Sequence, residues 1–288
     1  MFQGSIVAVV TPFRDDRVDF DVLEKLVEMH VKAGTDAILP CGTTGESPTL
    51  SHDEHDEVIE RVVKMVDGRR PVIAGTGSNS TVEAIRLTRH AQEAGADGSL
   101  QVAPYYNKPT QEGLYRHFRA VAESVDIPLM LYNIPSRTGR NIDVDTMRRL
   151  AEIDNIVAVK EAAGSTDQVT EILLATDLAV LSGDDSMTLP FMALGARGVV
   201  SVVANIVPAD VKAMVDAFAA GSAEKARRLN AKLYPLAKAM FVETNPAPVK
   251  SAMHMLGMIE PDLRLPMVVP SEASDRKIRK ALSDYGLL

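Results

Sequence analysis

Eight short runs of apolar and β-branched residues recur along this 288-residue chain, each followed by a longer segment with helical periodicity. The runs are Ile6–Val10, Ala37–Leu39, Pro71–Ala74, Gly98–Val102, Pro128–Tyr132, Ile156–Lys160, Leu178–Leu181 and Gly198–Val202. Helix-patterned segments follow at about Asp19–Lys32, His52–Val66, Thr81–Glu93, Gln111–Glu123, Val144–Glu152, Asp167–Leu174, Ser186–Leu194 and Pro208–Phe218. Strands that alternate with helices are parallel, and nearly continuous apolar strands are covered on both faces. Eight such repeats predict a closed (β/α)8 TIM barrel, with a doubly wound sheet as the alternative topology. A barrel of this kind needs roughly 250 residues, so length leaves room for an addition. After Gly221 the strand signal stops, and Ser222–Phe241, Ala247–Leu256 and Ser271–Tyr285 read as helices. The expected organisation is a catalytic barrel over residues 1–221 and a C-terminal helical extension over 222–288, packed on the barrel because no flexible linker separates them.

Composition narrows the function. The chain is 46% apolar and carries a net charge of −8 with no basic run, which excludes an electrostatic footprint for nucleic acid or an anionic membrane. No apolar stretch approaches the roughly 20 residues of a membrane helix. The N-terminus has no basic region ahead of its first strand, and Cys41 is the only cysteine. These features predict a cytoplasmic protein without disulfides that acts on small molecules.

In such barrels chemistry sits at the C-terminal ends of the strands. Lys160 ends the run Ile156–Lys160, and period-2 alternation places it on the same face as Ala158, with Val157, Val159 and Glu161 on the other. If the small Ala158 faces the barrel axis, Lys160 enters the mouth, where desolvation lowers its pKa and frees a nucleophilic amine. A solvated strand-end lysine is the plain alternative. Tyr132 ends the preceding strand with Met130 on its face, so its phenol can lie beside Lys160 and relay protons. Gly42-Thr43-Thr44-Gly45 follows the second strand, and its amides and hydroxyls can converge on a small anion such as a carboxylate; a helix-capping turn would use the same residues. The six histidines are scattered and only His52 and His55 share a helical face, so a zinc-dependent aldolase has little support and no metal is expected.

Taken in order, Gly42-Thr43-Thr44-Gly45-Glu46-Ser47, Pro104-Tyr105-Tyr106-Asn107-Lys108-Pro109, Tyr132-Asn133-Ile134-Pro135-Ser136-Arg137-Thr138-Gly139, Val159-Lys160-Glu161-Ala162 and Ser182-Gly183-Asp184-Asp185 resemble the dihydrodipicolinate synthase family over essentially the whole chain. The resemblance implies a Schiff-base lyase of lysine and diaminopimelate biosynthesis that condenses pyruvate with L-aspartate 4-semialdehyde, without metal or organic cofactor. It implies that Lys160 forms the imine, that Thr44 with Thr43 holds the pyruvate carboxylate, and that Tyr132, Thr43 and Tyr106 relay protons. Arg137 would bind the carboxylate of the semialdehyde, and the backbone carbonyl of Val200 would line the site. Ser47, His52, His55, Asn79, Glu83 and Tyr105 match positions that bind L-lysine in sensitive members. A homo-oligomer is implied, a dimer at least and a homotetramer in the common form, with Tyr106 reaching into a neighbouring subunit. The sequence departs at Val203, where threonine is expected. Two other readings stay open: a related lyase acting on a sugar acid, whose polyhydroxylated tail calls for Ser, Thr, Asp or Asn partners rather than Arg137, and a non-catalytic binding barrel.

Overall fold

A computed structural model describes residues 2–288. Its main sheet has eight strands: β1 (Gly4–Ala8), β2 (Ala37–Leu39), β3 (Ile73–Gly75), β4 (Gly98–Val102), β5 (Leu129–Asn133), β6 (Ile156–Glu161), β7 (Ala179–Ser182) and β8 (Gly198–Ser201). All neighbours pair in parallel, and β1 pairs both β2 and β8. The remaining gap closes through the parallel bridge Ile38↔Val72, with Ile38 N–H donating to the Pro71 carbonyl at 3.0 Å. The sheet is therefore a barrel, and the doubly wound alternative falls.

Alternation along the strands builds two separate cores. Inward residues, among them Ile6, Leu39, Ile73, Leu100, Met130, Ala158, Leu181 and Val200, fill the barrel. Outward residues such as Val7, Ile38, Leu131, Val159 and Val180 meet the helices. At the narrow lower seam Gly4 faces Gly198, and a Cβ on Gly198 would lie 2.0 Å from the Gly4 carbonyl oxygen, so only glycine lets β1 and β8 approach there.

The helices begin where their caps dictate. Ser51 and Glu54 form a reciprocal capping box at the start of helix His52–Val66, and Ser80 caps helix Thr81–Glu93. Both elements coincide with the sequence expectation. The segment expected as one helix over Ser186–Leu194 is split, with a 3-10 turn at Asp185–Met187 before helix Thr188–Leu194. Pro190 has no N–H to offer the Ser186 carbonyl, so a regular helix cannot start earlier. Several small elements escaped the sequence reading, two of them more than a single 3-10 turn. One is the hairpin Phe13–Arg14 with Arg17–Val18, whose turn residues Asp15 and Asp16 both have positive φ, as a type I′ turn requires. The other is the one-turn helix Pro135–Thr138.

Beyond the barrel, helices Ala223–Ala239, Ala247–Met255 and Glu272–Tyr285 return to its surface. Leu233, Leu236, Met240, Met253, Ile278 and Leu282 share one core with Val10, Val203 and Met214. Val203, the departure from the expected threonine, is buried in that apolar core, and its N–H donates to Asp185. None of the described helices is long and apolar enough to cross a membrane.

Candidate active site

The strand register sets the centre of the site. β5 and β6 pair Met130 with Ala158 and Tyr132 with Lys160, so the four side chains share the inner face in two layers. Glu161 turns outward as alternation requires, and Asn133, Gln168 and the Ala163 N–H satisfy its carboxylate away from the lysine. Lys160 is 5% exposed, and its Nζ lies 4.1 Å from the centroid of the Tyr132 ring. Gly183 makes room for the lysine stem, because a Cβ there would stand 3.1 Å from Lys160 Cε and 2.8 Å from the Ala162 Cβ.

Among the described residues no carboxylate forms an ion pair with Lys160. Burial lowers its pKa to about 7, opposed by the Asp185 charge and reinforced by the Arg137 guanidinium. Asp185 itself is held by the Ser201 hydroxyl and by the N–H groups of Val202 at 2.9 Å and Val203 at 3.3 Å. Burial pushes the Tyr132 phenol up to about 12, against the pull of Arg137 and of the Thr43 hydroxyl beside it. At neutral pH the phenol thus keeps its proton while the amine loses its own readily.

Above this pair a pocket is lined by Thr43, Gly77, Tyr105, Tyr132, Arg137 and Thr138, among others. The turn after β2 is closed by Gly45 N–H and Glu46 N–H, which donate to the Gly42 and Thr43 carbonyls at 3.1 Å each. Arg137 sits on helix Pro135–Thr138 and donates through Nη2 to the Asn245 carbonyl at 3.0 Å. The Asn245 amide donates in turn to Thr44 Oγ1 at 3.1 Å. Val200 is fully buried in the inner layer of β8.

Tyr105 and Tyr106 have different surroundings although they are adjacent in the chain. Tyr106 and Lys108 adopt positive φ, which turns the segment sharply. Tyr105 lines the pocket, whereas Tyr106 is 90% exposed and outside it. Nearby, His52 Nε2 meets Glu83 Oε1 at 2.7 Å, Ser78 donates to the other Glu83 oxygen, and Asn79 Nδ2 donates to the Tyr105 carbonyl at 3.2 Å. Ser47 borders the same pocket as Tyr105. His55 is buried and bonded to the Gly75 carbonyl at 2.9 Å. Its Nδ1 has no hydrogen-bond partner.

Asn245, Glu46 and Lys250 were not assigned from the sequence. Asn245 lies in the helical extension, where neither strand ends nor periodicity direct attention. The Asn245-Pro246 step just before helix Ala247–Met255 was its only local mark.

A sequence profile of the dihydrodipicolinate synthetase family matches residues 1–285. The 4-hydroxy-tetrahydrodipicolinate synthase of Syntrophus aciditrophicus is 56% identical, with all of both chains covered. The chloride-inhibited dihydrodipicolinate synthase of Acinetobacter baumannii, solved in complex with pyruvate, superposes with a TM-score of 0.98 at 47% identity, covering all of both chains. The lysine-bound enzyme of Cyanidioschyzon merolae gives 0.96 at 44% identity, covering 100% of this chain and 99% of its own. The chain belongs to the dihydrodipicolinate synthetase family.

Proposed function

We propose, from that membership and the site, that the chain is a synthase condensing pyruvate with L-aspartate 4-semialdehyde through an imine on Lys160. The observation that carries the mechanism is a buried lysine held near neutrality against a phenol, Tyr132, that itself lines a pocket edged by Thr43. At pH 7 about half of such amines are neutral, against fewer than about one in a thousand in water. The free amine attacks the ketone carbon of pyruvate, and the carbinolamine loses water to give the imine. Tyr132, Thr43 and Tyr106 move the protons that these steps release and consume. The protonated imine draws electrons from the adjacent C–H bonds, so the methyl loses a proton and the resulting enamine attacks the aldehyde.

Thr44 and Thr43 receive the pyruvate carboxylate, Arg137 pairs with the carboxylate of the second substrate, and the Val200 carbonyl borders the imine. The guanidinium favours this reading over a sugar-acid lyase, as do full-length relatives named for the synthase reaction. Tyr106 points away from its own pocket, which supports a dimer in which it completes a neighbour's relay, with a tetramer as the further assembly. The second ligand we propose is L-lysine as an inhibitor, on the strength of the His52–Glu83–Ser78–Tyr105 cluster. The protein would act in the cytoplasm.

Borohydride reduction with pyruvate alone, read by mass spectrometry, tests lysine, substrate and mechanism together. The parent chain gains a pyruvate-derived adduct on Lys160, Lys160→Ala gains none, and Arg137→Ala keeps the adduct while losing use of the semialdehyde. An adduct of undiminished yield on Lys160→Ala sinks the mechanism.

A further inference from the structure

A buried ion pair lies one layer behind the Thr43–Thr44 turn and takes no part in the steps above. Glu46 ends that turn with a left-handed backbone, φ 54° and ψ 35°. Its carboxylate is 1% exposed, and its partner Lys250, from helix Ala247–Met255, is fully buried. Lys250 Nζ donates to Glu46 Oε1 at 2.6 Å and to the Thr11 carbonyl at 3.0 Å. The second carboxylate oxygen accepts the Arg264 N–H at 3.1 Å. Thr11 Oγ1 donates to the Gly45 carbonyl at 2.7 Å, and Glu46 N–H donates to the Thr43 carbonyl at 3.1 Å. One ammonium thus joins the loop after β1, the loop after β2 and the helical extension.

As a stabilising device the arrangement is poor. Removing both charges from water offsets most of their attraction, and apolar residues of similar volume serve a fold as well. A glutamate in left-handed backbone adds a further cost. What the pair does supply is direction, since charge-assisted hydrogen bonds are short and geometrically narrow. That direction is delivered to Glu46, which is bonded to Thr43. We infer that Lys250 is a positioning residue for pyruvate: through Glu46 and Thr11 it sets the amides and hydroxyls of the Thr43–Thr44 turn. The inference rests on the reading of that turn as the carboxylate site.

The test compares the full chain with Lys250→Met, Lys250→Met/Glu46→Gln and Thr44→Val, by thermal melting, steady-state kinetics and borohydride trapping across pyruvate concentrations. The double variant removes both charges at nearly constant volume, so it folds even where the single variant, with a lone buried carboxylate, does not. In the double variant the half-saturating pyruvate concentration rises about 10- to 100-fold, as for a misplaced binding group, and the adduct trapped at saturation stays within about threefold of the parent, while kcat falls about tenfold because the Thr43 hydroxyl of the same turn relays protons. Thr44→Val raises the same concentration. Parent-like pyruvate affinity in the double variant, with Thr44→Val impaired, overturns the role of Lys250 and leaves the carboxylate site standing. Parent-like affinity in Thr44→Val overturns the carboxylate site and the inference with it. A double variant that does not fold, or loses yield at unchanged affinity, assigns the pair to folding alone and also overturns the inference.

Discussion

At the scale of single residues, Lys160 carries the cost of its own burial. Its pKa is about 7 in the fold and rises to its ordinary 10.5 when the chain unfolds, because burial penalises the ammonium. Below pH 7 both states hold the proton and the native state bears the full penalty. Between pH 7 and 10.5 the unfolded chain binds a proton that the native chain does not, so stability rises with pH. Above that window the penalty is gone. Lys160→Met, which keeps the stem and drops the charge, is therefore expected to be more stable than the parent by about 5 kcal/mol at pH 6, the two converging toward pH 10.5. Urea denaturation at pH 6 and pH 9.5 checks this, and a gap that does not narrow with pH removes desolvation as the cause.

At the scale of elements, the N-terminal turns of helices His52–Val66 and Thr81–Glu93 meet edge to edge through His52 and Glu83. If L-lysine binds there, Glu83 pairs with one of its ammonium groups. Glu83→Gln is then expected to weaken inhibition about tenfold or more, as loss of a charge-assisted contact does, with pyruvate trapping unchanged. Titration calorimetry gives the answer directly, since a parent protein that shows neither heat nor inhibition at millimolar lysine has no such site. Elements of this kind were legible in the sequence because each carries its own period and its own caps: the Ser51–Glu54 box marks one helix start, and the alternation Ala158, Lys160 against Val159, Glu161 sets a strand face. The hairpin at Asp15-Asp16 was not, because its strands are only two residues long, too short for any period to show. Contacts between distant segments were not legible either. Asn245 touching Thr44 is a consequence of how the extension docks, and no local pattern encodes it.

At the scale of the molecule, Tyr106 is a large side chain that its own subunit leaves exposed. Its 90% exposure beside a half-buried Tyr105 suits an interface, where a tyrosine brings apolar area and one polar tip. Mixing inactive Tyr106→Phe subunits with inactive Lys160→Ala subunits is expected to restore activity once they exchange, because one site of each mixed dimer then has Lys160 and a partner's Tyr106. Mixed dimers verified by mass that stay inactive place Tyr106 within its own chain or outside the reaction. The extension has a different consequence at this scale. Asn245 and Lys250 lie 201 and 204 residues after the threonine and glutamate they hold. A ribosome therefore delivers all eight strands, with Lys160 among them, before it delivers the two residues that reach back to the turn after β2. In the order of synthesis the strands of the barrel are complete while the turn after β2 still lacks both of its partners from the extension, so the last hydrogen bonds of that turn wait for the end of translation.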